Sequence, residues 1–471
     1  MRKQSSFKKV DPVRNSSRAL NPAAEQRGII SNGVNRNIEL SYGKGKIVFD
    51  LPKGWAADLL RPNLTFPVLN PSQEIHQSLE NPLGGQRLED FRRAKSVSIA
   101  VSDETRFIPY PLILPPLLER LERIGVARSA IQILIGSGLH PPVPQSRFSN
   151  ILPMEILKRY SVMAHDATQP DLKFLGNTSR GTPVFLNPHF DEAELRIVIG
   201  LIDPHQFVGY TGGVKGAAIG LAGSQTIEAN HSMLFHPQAV IGEIQQNPVR
   251  QDIEEIGKLI GIHFVVNVVL DETNQIVKVF SGDPQEVERV GSEFCRTIYE
   301  TKVSEEYDVV IVSPGGYPKD INVYQAQKAL AHTTPLVRQA GDIILLAECP
   351  DGHGDETFYQ MMRKYKNPDE VVEAFQKERF KMGTHKAFLW CRSLTKAQVQ
   401  LCSALGERLS FELMTFPAKS VEEALQKLQK KYPTPPKIAI MPKANSTYIP
   451  SPPPPPAYRQ AGTGERAGVK G

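Results

Sequence analysis

Cysteine is scarce in this chain: four residues among 471 (Cys295, Cys349, Cys391, Cys402), scattered and without a CxxC pair. That excludes a disulfide scaffold and a thiolate-rich metal site, and it points to a reducing, cytoplasmic setting. No run approaches the ~20 consecutive apolar residues of a membrane span. The basic N-terminus lacks the apolar stretch of a secretory signal, and Asp11, Pro12 and Glu25 count against a transit peptide. A basic body is missing as well. Residues 1–37 hold eight Lys/Arg against two acidic residues, and 450–471 hold three against one, so the net +5 leaves 38–449 at −3. With its basicity confined to the ends, the chain is expected to bind neither nucleic acid nor membrane.

What is present is ordinary globular material, 40% apolar and 22% charged, enough for two or three domains. The Ser/Asn/Arg-rich segment 1–37 and the Pro-rich 446–471 read as disordered tails. Between them strand-like runs at 47–51, 97–101, 131–135, 161–164, 195–201, 264–270, 309–312, 343–346 and 438–441 alternate with helix-like stretches, among them 322–339 and 396–406. Such alternation predicts an α/β protein with parallel sheets, in two Rossmann-like domains and with the active site in the cleft between them. The expected division is 38–303 for the catalytic and cofactor-binding domain and 304–435 for a second α/β domain. The strand in 436–445 is expected to return to the first domain.

Ligands in such sheets sit beyond the carboxyl ends of the strands, and that is where the polar loops fall. Two familiar fingerprints fail there. Gly136-Ser-Gly138-Leu-His140-Pro141 has proline where the dinucleotide motif needs its third glycine, and Thr211-Gly-Gly-Val-Lys215-Gly216 lacks the Ser/Thr that follows the lysine of a phosphate loop. No HExxH zinc motif occurs. What remains is Asp103-Glu-Thr-Arg106 after one strand, Gly138-Leu-His140 after another, and His205 ten residues before Lys215 in Gly212-Gly213-Val-Lys215. Asn230-His231 follows sixteen residues after Lys215, and Tyr324-Gln325-Ala-Gln-Lys328 opens a helix of the second domain.

Taken singly these residues have bland readings: Asp103 or Arg106 as a helix cap or salt bridge, His140 and His205 as loop residues, His231 as a helix end, Lys215 as a solvated lysine. Taken together, in this order and spacing, they resemble the lactate racemase family over about 38–445. The resemblance implies a nickel-pincer nucleotide tethered covalently to Lys215, with His231 as a protein ligand to nickel and His140 and His205 as paired acid/base groups. Asp103, Arg106, Gly212, Gly213, Tyr324, Gln325 and Lys328 would hold the cofactor, and Arg106, Tyr324, Gln325, Lys328 and, by a looser match, Trp390 would hold the substrate. The implied reaction is racemisation or epimerisation of a 2-hydroxy acid by proton-coupled hydride transfer, with separate cofactor-synthesis proteins as partners. A dehydrogenase- or dehydratase-type outcome and a non-catalytic cofactor carrier are the alternatives. Lactate-specific members carry Pro after the first-loop Arg, Arg after the Gly-x-His histidine and Arg before the lysine; here Phe107, Pro141 and Val214 stand in those places. The resemblance therefore implies a substrate larger than lactate. His76, His165, His189, His236, His263, His332, His353 and His385 read as structural or solvated.

Overall fold

The computed structural model describes residues 27–30, 37–378 and 380–450. The strands run β1 (Arg27–Ile30), β2 (Ile38–Tyr42), β3 (Gly45–Phe49), β4 (Ala57–Leu60), β5 (Val97–Ser102), β6 (Ile131–Gly136) and β7 (Ser161–Ala164). Next come β8 (Lys173–Asn177), β9 (Pro183–Leu186), β10 (Leu195–Leu201), the short β11 (Pro204–His205) and β12 (Gly209–Tyr210), β13 (Phe264–Leu270) and β14 (Ile276–Gly282). The last part adds β15 (Tyr307–Val312), β16 (Val337–Leu346), β17 (Ala397–Cys402), β18 (Phe416–Ala418) and β19 (Ile438–Met441).

Two sheets organise the molecule. The first has the order β14-β13-β10-β5-β6-β7, parallel except for the antiparallel β13–β14 pair. Its inner strands are buried on both faces: every residue of β13, and all of β5 and β10 but their partly covered ends and Arg196, lies in the core. Such strands show as continuous apolar runs, which made them legible in sequence. The chain moves out from β5 to β6 and β7 on one side, then jumps back to β10 and β13 on the other. A crevice consequently opens at the carboxyl ends of β5 and β10, the switch point where α/β sheets bind ligands.

The second sheet has the order β1-β4-β19-β15-β16-β17-β18, again parallel but for β1–β4. Here the chain departs from expectation in several places. β19 does not return to the first domain; it inserts between β15 and β4. The crossover from the Val421–Lys431 helix carries it back beside β15, in parallel register, as connections of this kind do. The N-terminal strands β1 and β4 instead cross over to extend the second sheet. Residues 27–30, read as tail, form β1, and residues 446–449 are buried; the other residues read as tails, 1–26, 31–36 and 451–471, lie outside the described residues. The expected 396–406 helix is strand β17, because Gln398 alternates with covered Ala397 and Val399 before the strand sinks into the sheet. The expected 322–339 helix stops at Thr333, and β16 begins at Val337.

Among the described residues no helix is long and apolar enough to cross a membrane. One buried histidine fastens the second domain together: His332, on the Val323–Thr333 helix, donates from Nδ1 to the carbonyl of Thr447 at 2.8 Å. Burial, first, lowers its pKa to about 4, against the pull of that hydrogen bond. The unfolded value is about 6.5, so the stabilisation tied to the neutral ring is complete above that pH and is lost as pH falls toward the folded value. Between pH 7 and 5 the loss from this group is about 2 kcal/mol. Urea melts of the wild type and His332→Gln at the two pH values should show the variant losing less stability by about that amount.

Candidate active site

The first domain contributes four loops. Directly after β5, Asp103 accepts at Oδ1 from the backbone and hydroxyl of Thr105 and at Oδ2 from His140 Nδ1, 2.9 Å away. Burial opposes ionisation of Asp103, but the hydrogen bonds from His140 and Thr105 prevail and hold the carboxyl below its ordinary range. The His140 side chain stays half exposed. With Nδ1–H committed to Asp103, its Nε2 is the nitrogen free to exchange a proton. Burial lowers the Arg106 guanidinium below its ordinary range, and the nearby Asp203 and Asp103 offset only part of that cost.

After β10 the chain makes the β11–β12 turn, which carries His205 opposite Gly209. Gly212 (φ +98°) and Gly213 (φ +56°) bring Lys215 to the start of the Lys215–Ala218 helix. A Cβ on Gly212 would stand 2.6 Å from Ile202, and one on Gly213 2.9 Å from Arg250. These glycines therefore serve a tight backbone approach. The loop is further pinned by Gly213 N–H donating to Asn267 Oδ1 at 2.7 Å. Beneath it lies a charge pair that sequence reading missed: the buried Arg250 pairs with Glu254 and, at 3.2 Å, with Glu288. Burial raises the Glu288 carboxyl to about 8. Burial, then the charges of Arg106 and Arg250, push the Lys215 amine well below the ordinary lysine range. Such a shift favours the neutral, nucleophilic form of the amine.

His231 lies on the Ser224–Ser232 helix, its Nδ1 3.1 Å from Asn230 Oδ1. Asn230 donates in turn to Asp252 Oδ2 at 2.9 Å and to the Val249 carbonyl at 3.0 Å, and Asp252 also accepts from Thr178 and Thr182. Because Asn230 spends its amide hydrogens on those partners, its oxygen faces the imidazole. His231 then carries its proton on Nδ1 and presents a bare Nε2. Burial, followed by Lys215 and Lys386, lowers the His231 pKa to about 3. Phe207 stands between the two first-domain histidines, its ring 4.8 Å from His205 and 5.1 Å from His231. Burial, with Lys215 and Arg106 next, keeps His205 neutral well below its usual value.

The second domain closes over these groups. Asn322 Oδ1 caps the Val323–Thr333 helix at Gln325 N–H, 3.0 Å away, and so sets Tyr324, Gln325 and Lys328 on its first turns. Burial and the neighbouring Arg106 take Lys328 down to about 8. Burial lifts Asp203 to about 6 against the pull of Lys319, Arg106 and Lys328. Of the expected site residues Trp390 alone lies elsewhere: it is a fully buried core residue whose Nε1 donates to the Leu413 carbonyl at 2.8 Å. The same helix, Thr384–Leu394, turns His385 and Lys386 to the site instead. His385 sits 6.5 Å from His231 and 6.4 Å from Tyr324, and Lys386 donates to Gln206 Oε1 at 2.9 Å. At 100° per residue Trp390 lies only about 40° round the helix from Lys386 but one turn, about 6 Å, further along it, so the first turn meets the site and the next one the core. His205 Nδ1, His385 Nδ1 and Gln327 Nε2 are buried there without hydrogen-bond partners.

Comparison with known proteins bears on this geometry. Family models described as the lactate racemase N-terminal and C-terminal domains match residues 42–242 and 303–449. A lactate racemase of Thermoanaerobacterium thermosaccharolyticum is 34% identical over 342 residues, 71% of this chain and 80% of that protein. The lactate racemase of Lactiplantibacillus plantarum is 30% identical over 419 residues, 86% of this chain and 97% of that protein. The solved lactate racemase apoprotein of the former organism superposes with a TM-score of 0.81 at 30% identity, covering 88% of this chain and all of that one. A Thermotoga maritima protein, 17% identical and covering 82% of this chain and all of its own, has a TM-score of 0.59 and shares the fold alone.

Proposed function

Since the chain belongs to the lactate racemase family, we propose that it is a racemase or epimerase that inverts C2 of a 2-hydroxy acid with a nickel-pincer nucleotide tethered to Lys215. The reading rests above all on His140 and His205: two histidines on separate loops of one switch point, one oriented by Asp103 and the other held neutral.

The residues suit the cofactor. Lys215 is a buried amine, its neutral form favoured, in a glycine-shaped loop. His231 offers a bare Nε2 with its other nitrogen fixed by Asn230, the arrangement typical of a metal-bound imidazole. Among the described residues no group of three His, Cys, Asp or Glu could hold a metal by itself. Nickel here would therefore draw most of its ligands from the nucleotide, and an imidazole suits the remaining square-planar position. When bound, the nucleotide would supply the acceptor and donor for the C2 hydride. Making it is the task of separate cofactor-synthesis proteins.

The chain's own residues do the rest. Arg106 and Lys328 clamp the substrate carboxylate, with Asp203 balancing part of their charge. A neutral imidazole takes the hydroxyl proton as the C2–H bond breaks, and the planar 2-keto acid is retained between the domains, where water is excluded. Return from the other face leaves the oxygen oriented toward the second histidine, which gives the proton back. Two histidines suit inversion; one would serve a reaction of one hand.

The test is chiral chromatography of enantiopure, C2-deuterated 2-hydroxy acids incubated with the loaded protein. Inverted product that keeps its deuterium is expected. Inverted product whose label has washed into water would mean proton abstraction at carbon, and absence of inversion would overturn the reading. A second expectation concerns Asn230→Ala. Freed from its anchor, His231 should hold nickel about 10–100-fold more weakly, read as nickel retained during chelator competition, with a thermal melt to separate this from unfolding.

A further inference from the structure

Lys386 is used by none of the steps above. It is 7% exposed, its Nζ donates to Gln206 Oε1 at 2.9 Å, and it sits 5.4 Å above the Tyr324 ring. The charges that act on it are those of Lys328 and Arg106, both of its own sign, and among the described residues it has no acidic partner. A buried ammonium is costly unless an anion meets it: burial first, then those two charges, push the Lys386 amine well below the ordinary lysine range, and a bound carboxylate is what would draw the proton back to it. Acceptors are short around it too. Gln206 Oε1 is taken by Lys386, Gln206 Nε2 donates to Gln327 Oε1 at 3.2 Å, and the fully buried Gln327 Nε2 has no partner. The chain Lys386–Gln206–Gln327 thus ends in unspent donors on both sides.

Resting on the racemase reading, we infer that Lys386 recognises a second oxyanion of the substrate, so that the preferred substrates are 2-hydroxy dicarboxylic acids. One carboxylate satisfies Arg106 and Lys328. Among the described residues their acidic neighbours are Asp203 and, for Arg106, Asp103. Gln206 directly follows His205, so Lys386 is tied to the end of the site where the hydroxyl proton moves. A carboxylate on the C2 side chain meets it there. The Tyr324 ring face lies toward the same amine, a contact that strengthens once it is protonated. The departures at Phe107, Pro141 and Val214 lie on other loops and do not supply this charge. A competing demand comes from a cavity of about 380 Å³ beside Asp103 and Arg106, walled by Phe107, Ile108, Tyr110 and Ile151, which would favour an apolar side group.

The experiment compares loaded wild type with Lys386→Gln on three enantiopure acids: a short 2-hydroxy monocarboxylate, a four-carbon 2-hydroxy dicarboxylate and an aryl 2-hydroxy monocarboxylate. Inversion rates, nickel content and calorimetric affinity are read for each. Wild type should favour the dicarboxylate in kcat/KM by at least about tenfold, the scale of one retained charge contact. In Lys386→Gln that preference, read as the ratio of kcat/KM on the dicarboxylate to that on each monocarboxylate, should vanish, with nickel content retained. Preference of wild type for either monocarboxylate, or an equal loss on all three acids, would overturn the inference. So would a fall in nickel content, which would assign Lys386 to the phosphate of the nucleotide. If wild type inverts none of the acids, the racemase reading fails and calorimetry decides this one alone: dicarboxylate affinity that depends on Lys386 supports it, and affinity that is absent or unchanged in the variant overturns it.

Discussion

Lys215→Ala, produced alongside the cofactor-synthesis proteins, should carry no covalent adduct and lose activity to the uncatalysed background, a fall on the order of 10⁶-fold or more. Intact mass and bound nickel, both retained by the wild type, are the measurements. The expectation follows from the state of the amine. Burial and the charges of Arg106 and Arg250 push the Lys215 amine well below the ordinary lysine range, which favours its neutral form, and only a neutral amine has a lone pair to give. Lys215→Arg keeps the reach but cannot lose its proton, so it should stay unmodified as well. That outcome separates a nucleophile from a mere cation. Folding should not confuse the result. The folded chain holds a proton on this amine less readily than the unfolded one, so its burial costs stability below the unfolded pKa of about 10.4. The alanine variant should melt at the same temperature as the wild-type apoprotein or above it. An adduct of normal mass on Lys215→Ala would place the tether elsewhere.

His140→Gln and His205→Gln should each slow inversion by about 10²–10⁴-fold, the usual worth of a positioned acid or base. Because the two antipodes of a racemase substrate are equal in energy, each variant should lose both directions together at steady state. Single turnovers should tell the histidines apart: each variant should still form 2-keto acid from one antipode and fail with the other, and the two variants should be opposite in this. If either variant inverts at the wild-type rate, only one histidine takes part. The acid side of the pH profile should be governed by the histidines as bases. His205 is held neutral first by burial and then by Lys215, Arg106 and Lys386, so its competence persists below the usual imidazole range and is lost only as pH falls through the depressed value. Asp103→Asn should not reproduce His140→Gln in full. It leaves the ring in place but removes the acceptor that fixes its tautomer.

The parallel sheets and the order of the loops were legible in the sequence alone. A strand covered on both faces, such as β5, β10 or β13, must be a continuous apolar run, and the residues that follow it necessarily lie at the carboxyl edge of the sheet. Asp103, His140, His205, Lys215 and His231 could be read as one constellation because each belongs to a short local motif whose backbone its own neighbours determine. Sheet membership beyond neighbouring strands was not legible. Nothing local tells β19 to pair with β15 and β4 rather than with the first sheet, or tells Arg27–Ile30 to join the second; hydrogen-bonding edges far apart in the chain decide that. Nor were the contacts of the long side chains. Arg250 and Glu288 stand on helices whose sequences explain them equally well as solvated charges, and only the packing of both helices under the Gly212-Gly213 loop makes them a buried pair. The choice between Trp390 and Lys386 shows the limit most plainly. Trp390 was the residue expected at the second-domain wall, but Lys386 stands one turn before it on nearly the same helix face, so which of them meets the cleft depends on which turn reaches it. With Thr384 as its first residue, the core takes the indole and the cleft takes the ammonium. Local sequence determined which groups were available for chemistry; the docking of helix faces, a long-range balance of burial, decided which of them meet.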